Sequence, residues 1–123
     1  MKFSSFSFVS YPTVDIKRSR AFYEGVLGLT ATSVWEGDGY AFIEYDMGPD
    51  TLAIGMGSDN FKPGKTGGTA ALEVDGDFDA ALKELKDKGV KLLMQPYDGT
   101  VCTMVLIEDP DGNQIMIHKR KAK

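Results

Sequence analysis

Residues 3–11 alternate apolar and polar side chains, which predicts a strand that Pro12 brings to a stop. The period then lengthens. Asp15 is a candidate N-cap, Ser19, Tyr23, Val26 and Leu27 share one helical face with Ile16 and Phe22 beside it, and Gly28 is a natural C-terminal stop. Three short apolar runs follow at residues 31–35, 40–46 and 51–56. Turn signals at Gly37-Asp38-Gly39 and Gly48-Pro49-Asp50 divide them, so the first half reads βαβββ.

Residues 57–68 are rich in Gly, Lys and Pro and read as a linker, after which the pattern restarts. Residues 69–74 predict a strand and Asp77 a cap. Phe78, Ala81, Leu82 and Leu85 make an amphipathic helix that Gly89 ends. Runs at 90–94, 101–107 and 114–118 supply three more strands, the last two joined by the turn-forming Asp109-Pro110-Asp111-Gly112-Asn113. The second half is again βαβββ. At an offset of sixty residues Val14-Asp15 meets Val74-Asp75, Ala21 meets Ala81 and Glu24 meets Glu84, as expected of a structural duplication. The expectation is one α+β domain: module 1 at about 3–56, the linker at 57–68 and module 2 at about 69–119. In each module a helix covers one face of a four-stranded sheet, and the other face must find a partner or a ligand.

The 123 residues suffice for one core, and a formal net charge of −4 argues against nucleic acid as a partner. The basic cluster Lys119, Arg120, Lys121 and Lys123 reads as a solvated tail. The single cysteine, Cys102, lies in an apolar run and reads as a packing residue, consistent with a reducing compartment. No signal peptide and no membrane-spanning run is indicated, so a cytoplasmic location is expected. Gly64-Lys65-Thr66 mimics the end of a phosphate-binding loop. It lacks the glycine five residues earlier, where Asp59 stands, and Pro63 removes a donor.

The run from Asp15 to Leu29, the stretch Leu72-Glu73-Val74-Asp75 and the Asp109 to Asn113 turn together resemble the vicinal oxygen chelate superfamily, the group of glyoxalases, bleomycin resistance proteins and extradiol dioxygenases. The resemblance covers nearly the whole chain. It implies two βαβββ modules forming a curled mixed sheet around a cleft, with the helices outside, and a homodimer. It also implies four metal-ligand positions in the metal-dependent members. Here these hold Phe8, a residue within 51–57 where no His, Cys, Asp or Glu occurs, Thr69, and Met116. Such residues do not make a Zn, Ni or Fe site, so no metal and no cofactor is expected.

If alternation holds, the cleft face takes Phe8, Ser10, Ala53, Gly55, Thr69, Ala71, Gln114, Met116 and His118. Trp35, Tyr40, Phe42 and Glu44 add an aromatic wall with one carboxylate. The ligand-binding set is therefore Phe8, Ser10, Trp35, Tyr40, Phe42, Gly55, Thr69, Gln114, Met116 and His118. Filling of the cleft by these side chains as core is the structural alternative. The expected function is metal-free binding of a small organic molecule, cationic or neutral, with sequestration as its use. The alternatives are a glyoxalase-type lyase or isomerase, with an unconventional metal site or with His118 and Glu44 as acid and base, and an accessory domain that binds another protein.

Overall fold

The computed structural model describes residues 1–122, in two compact units: Met1–Pro63, and a second that begins at Gly64. The division falls inside the linker read at 57–68.

In the first unit β1 (Val9–Pro12), β2 (Ser33–Gly37), β3 (Tyr40–Met47) and β4 (Asp50–Met56) form one sheet in the order β1-β4-β3-β2. β1 runs parallel to β4, with Val9 opposite Leu52, and the other pairs are antiparallel. The strand expected at 3–11 is confined to its last residues and extends through Pro12. Residues 3–8 find no ladder partner, and Phe3 and Phe6 stand exposed.

Between β1 and β2 lies α1 (Ile16–Arg20), which passes directly into a π-helical segment, Ala21–Val26. Asp15 caps it as expected, its carboxylate accepting from the Arg18 N–H at 3.1 Å. Gly28 follows the helical segment with φ of 75°, a conformation that strains a side chain. The π turn is visible in the Leu27 N–H donating to the Phe22 carbonyl, five residues back. Widening the turn changes which residues face inward. Ser19, Phe22 and Tyr23 are buried, whereas Val26 and Leu27, expected on that face, are only half-buried.

Tyr23 packs against the sheet residues Tyr11 and Tyr45, with ring centroids 6.5 and 6.1 Å away, above Ile43, Leu52 and Ile54. Burying each such side chain contributes roughly 1.5 to 3 kcal/mol. The Tyr45 hydroxyl reaches the core's edge and donates to Glu24 Oε2 at 3.0 Å; that carboxylate also accepts from Arg20 Nε at 2.6 Å. Hydrogen bonding from Arg20 holds the Glu24 carboxyl below its usual range, while burial and the Glu24 carboxylate push the Tyr45 phenol well above its own.

The second unit repeats the plan. β5 (Ala70–Glu73), β6 (Tyr97–Asp98), β7 (Cys102–Glu108) and β8 (Gln114–Arg120) form a sheet in the order β5-β8-β7-β6, again with its first strand parallel to its last. The α+β class and the doubled βαβββ order are what the chain adopts. Helix α2 (Phe78–Asp87) is capped by Asp77, which accepts from the Ala80 N–H at 3.0 Å, and lays Phe78, Leu82 and Leu85 into the core with Val105, Ile107, Ile115 and Ile117.

Two expectations fail here. Residues 90–94 make no regular strand: one isolated bridge, Leu92 to Ile107, and two flanking backbone bonds hold them beside β7, and the edge strand is the two-residue β6. The basic cluster is not a solvated tail. Lys119 and Arg120 lie within β8, Lys119 Nζ donates to the Val74 carbonyl at 3.0 Å, and Lys121 Nζ donates to the Gly99 carbonyl and pairs with Asp98. Lys123, placed in the same cluster, lies outside the described residues.

The turn between β7 and β8 is a polar knot inside the protein. Asp109 and Asn113 are both buried. One Asp109 oxygen accepts from the backbone N–H groups of Asp111 and Asn113, each at 2.9 Å, and the other from Asn113 Nδ2 at 2.8 Å. Asn113 Oδ1 in turn accepts from the Gly64 N–H at 3.1 Å, and Gly112 takes the positive φ, 88°, that closes the loop.

Asp109→Ala strands these buried donors, and a loss of about 3 kcal/mol in denaturant unfolding is expected. Glu24→Gln gives a pH-dependent effect. Because the folded Glu24 pKa is depressed, its stabilisation is complete above the unfolded value of 4.5 and is lost as pH falls through the folded value. Discounted for solvent exposure it amounts to less than about 1 kcal/mol. The Tm gap between wild type and Glu24→Gln should therefore narrow on acidification below the unfolded value of 4.5 and close below the folded one.

Candidate functional site

The face of the first sheet turned away from its helix is covered by no second helix of that unit. Strand register sets two rows across it. One runs Pro12, Gly55, Phe42, Trp35; the next runs Ser10, Ala53, Glu44, Ser33. Trp35 stacks on Tyr40 with centroids 4.4 Å apart and remains 58% exposed, and Phe8 meets Phe42 edge-on at 5.3 Å. Gly55 gives the face its depth, since a Cβ there would come within 3.0 Å of the Phe42 ring.

These residues enclose an open cavity of about 640 Å³, lined by Phe8, Ser10, Trp35, Phe42, Gly55 and Phe61, with Ser33, Ala41, Met56 and Ser58 completing it. It is within the size range of small-molecule sites. The lining is overwhelmingly aromatic and aliphatic. Ser10 is the exception of interest, because its Oγ is shut off from solvent and has no hydrogen-bond partner. Ala53, expected on the same face, is fully buried and offers the cavity nothing.

The structure thus gathers Phe8, Ser10, Trp35, Phe42 and Gly55 around one cavity, with Tyr40 behind Trp35. Phe61 was hidden in the stretch read as a linker. Its signal was available, for it is the one aromatic residue between 57 and 68.

In the second unit Gln114, Met116 and His118 alternate along β8 with the more deeply buried Ile115 and Ile117, and Thr69 lies just before β5. His118 Nδ1 is 2.7 Å from Glu73 Oε1. A carboxylate only accepts, so Nδ1 carries the proton. Glu73 Oε2 also accepts from the Arg120 backbone N–H at 2.7 Å, and these two bonds, the Arg120 one first, lower the Glu73 pKa. Glu73 is a partner for His118 that the sequence reading did not supply. Glu44, the other acid/base candidate, is half-buried in the first unit's Ser10 to Ser33 row.

The four positions that resemblance assigns to metal ligands carry Phe8, a residue of the run 51–57 that holds no His, Cys, Asp or Glu, Thr69 and Met116. Among the described residues, no three His, Cys, Asp or Glu side chains come together as an ion site would require. The donor set does not fit the transition-metal centre of the metal-dependent relatives.

Two βαβββ modules of identical strand order, the first bearing an apolar cavity, define a fold of duplicated modules. The profile of the Glyoxalase/Bleomycin resistance protein/Dioxygenase superfamily matches residues 5–117, and the chain belongs to that superfamily. Lactoylglutathione lyase of Escherichia coli O157:H7 is 32% identical over 118 residues, covering 87% of this chain and 86% of that protein. Among solved structures, TnmS3, an antibiotic binding protein from Streptomyces sp. CB03234, superposes with a TM-score of 0.83 at 23% identity, covering 98% of this chain and 99% of its own. The fosfomycin resistance protein FosX from Mesorhizobium loti gives 0.72 at 18% identity, covering 95% and 92%. At these identities the structural matches speak for the fold alone. No helix among the described residues is long and apolar enough to cross a membrane.

Because the Ser10 hydroxyl is buried without a partner, Ser10→Ala removes a desolvation cost and should leave stability unchanged or raise it by up to about 1 kcal/mol. Chemical denaturation measures this directly.

Proposed function

We propose that the chain binds a small, flat, largely apolar organic molecule in the first unit's cavity, without a metal ion, and that it acts by holding this molecule out of solution. The observation that carries the reading is the lining: ring faces and edges from Phe8, Trp35, Phe42 and Phe61 around a glycine floor. Aromatic surfaces of this kind bind flat ligands by stacking and by excluding water.

Ser10 supplies orientation. Rotation about χ1 presents its unspent hydroxyl to a polar group on the occupant. The net charge of −4 favours a neutral or cationic ligand. The fold shared with TnmS3, itself an antibiotic binding protein, agrees with such a use. Thr69, Gln114, Met116 and His118 remain proposed binding residues, within the second unit. A homodimer in the cytoplasm completes the proposal.

A second reading has its own support in the lactoylglutathione lyase relatives at about 30% identity. On that reading the protein turns over a substrate, with His118 and Glu44 as acid and base. Turnover of lactoylglutathione that is lost in both His118→Ala and Glu44→Gln would favour the enzyme.

Trp35 is the single tryptophan, so its fluorescence reports on the cavity directly. Titration with flat aromatic compounds, neutral and cationic, should quench it saturably and raise Tm with ligand concentration. Trp35→Ala should weaken a binder about tenfold with little change in folding, since the ring is mostly exposed. Absence of any saturable quench or thermal shift across the set would overturn the binding reading. A stoichiometric transition metal in elemental analysis of the purified protein would overturn its metal-free part.

A further inference from the structure

The second unit holds a cavity of its own, of about 460 Å³, lined by Thr100, Val101, Cys102, His118, Arg120 and Lys121. We infer that this cavity is a binding site for a small organic carboxylate, with the Arg120 guanidinium as its anchor and His118 as a second donor.

The argument is one of charge and register. Cys102 and Arg120 stand directly opposite one another in the β7/β8 ladder, and His118 lies two residues before Arg120 on the same face. Of the acidic and basic side chains around this face, Lys121, Asp98, Glu73 and His118 already have partners. Lys121 Nζ lies 2.6 Å from Asp98 Oδ1 and donates to the Gly99 carbonyl at 2.6 Å. Glu73 uses one oxygen on His118 Nδ1 and the other on the Arg120 backbone N–H. The Arg120 guanidinium is left with no hydrogen bond or ion pair to another side chain among the described residues. Its charge is felt by the Glu73 carboxylate, whose pKa it helps to lower, but its fork of N–H donors is unspent.

A guanidinium presents a planar fork of N–H donors whose spacing matches a carboxylate. His118, its Nδ1 turned to Glu73, keeps Nε2 for the cavity, where the imidazolium form donates to a bound anion. Val101, Cys102 and Ala122 give it an apolar side, next to Thr100 and Lys121. That apolar wall selects a carboxylate carrying a carbon body over an inorganic ion.

Cys102 provides a test, because it is the only cysteine and it lines this cavity. Iodoacetate and iodoacetamide alkylate thiols by the same displacement, but only iodoacetate carries a charge that a nearby cation attracts. With the full chain at low salt, the iodoacetate to iodoacetamide rate ratio at Cys102 should exceed that of a free cysteine peptide by about threefold or more. Arg120→Gln should return it to the peptide value. Benzoate should protect the thiol, and should shift the Arg120 Nε–H resonance saturably.

An unchanged ratio in Arg120→Gln would overturn the anchor role. Failure of benzoate to shift that resonance saturably would overturn the site, whether or not the thiol reacts. Tighter binding of inorganic phosphate than of benzoate would overturn the organic carboxylate class. Because the probes report on the second unit alone, failure here leaves the aromatic cavity proposal standing, and the converse also holds.

Discussion

A four-stranded sheet has two faces to dispose of, and each unit of this protein owns only one helix to cover them. Everything distinctive about the residues follows from that shortage. The helix-covered faces are ordinary cores of Ile, Leu, Val and tyrosine rings. The opposite faces do not read as core, because they mix glycine, serine and alanine with exposed rings. Gly55 beneath Phe42 is the clearest instance, since one added carbon would take up the space the cavity needs. In the first unit the leftover face became a hydrophobic recess; in the second its end became a charged one.

The turn at Asp109 to Asn113 solves a different problem, that of reversing the chain where the residues are buried. Asp109 answers with hydrogen bonds from its own loop, and Asn113 reaches out to the backbone of Gly64 where the second unit begins. A buried carboxylate is costly unless its lone pairs are used. Here they are used almost entirely within five residues, so the loop carries its own solvation.

Much of this was legible in the chain. Asp15 and Asp77 cap the helices they were expected to cap, Gly28 and Gly89 end them with positive φ, and the doubled strand order follows from the repeat. What was not legible depends on partners distant in sequence. Residues 3–8 alternate well enough for a strand, but no neighbouring strand is there to pair with them. Residues 90–94 have strand composition, yet bend past β7 with a single bridge. The C-terminal lysines look like a tail until topology brings Val74, Gly99 and Asp98 to them. The cavity was half visible: alternation gave Phe8, Ser10, Phe42 and Gly55, while Phe61 enters from a loop that has no period to read.

The outer strands at the β2 and β6 ends of the two sheets show a final contrast. β6 is two residues long and leaves almost no row of free amides, whereas β2 presents five residues, with Val34 and Trp35 exposed, along its outer side. An unpaired edge of that kind is a template on which another extended chain can add. Glu36 within the strand and the turn beginning at Gly37 limit its reach, since an added strand would have to bury the charge and then end. The exposed Trp35 ring of the recess therefore lies on the longer of these two edges, guarded by one carboxylate and a glycine.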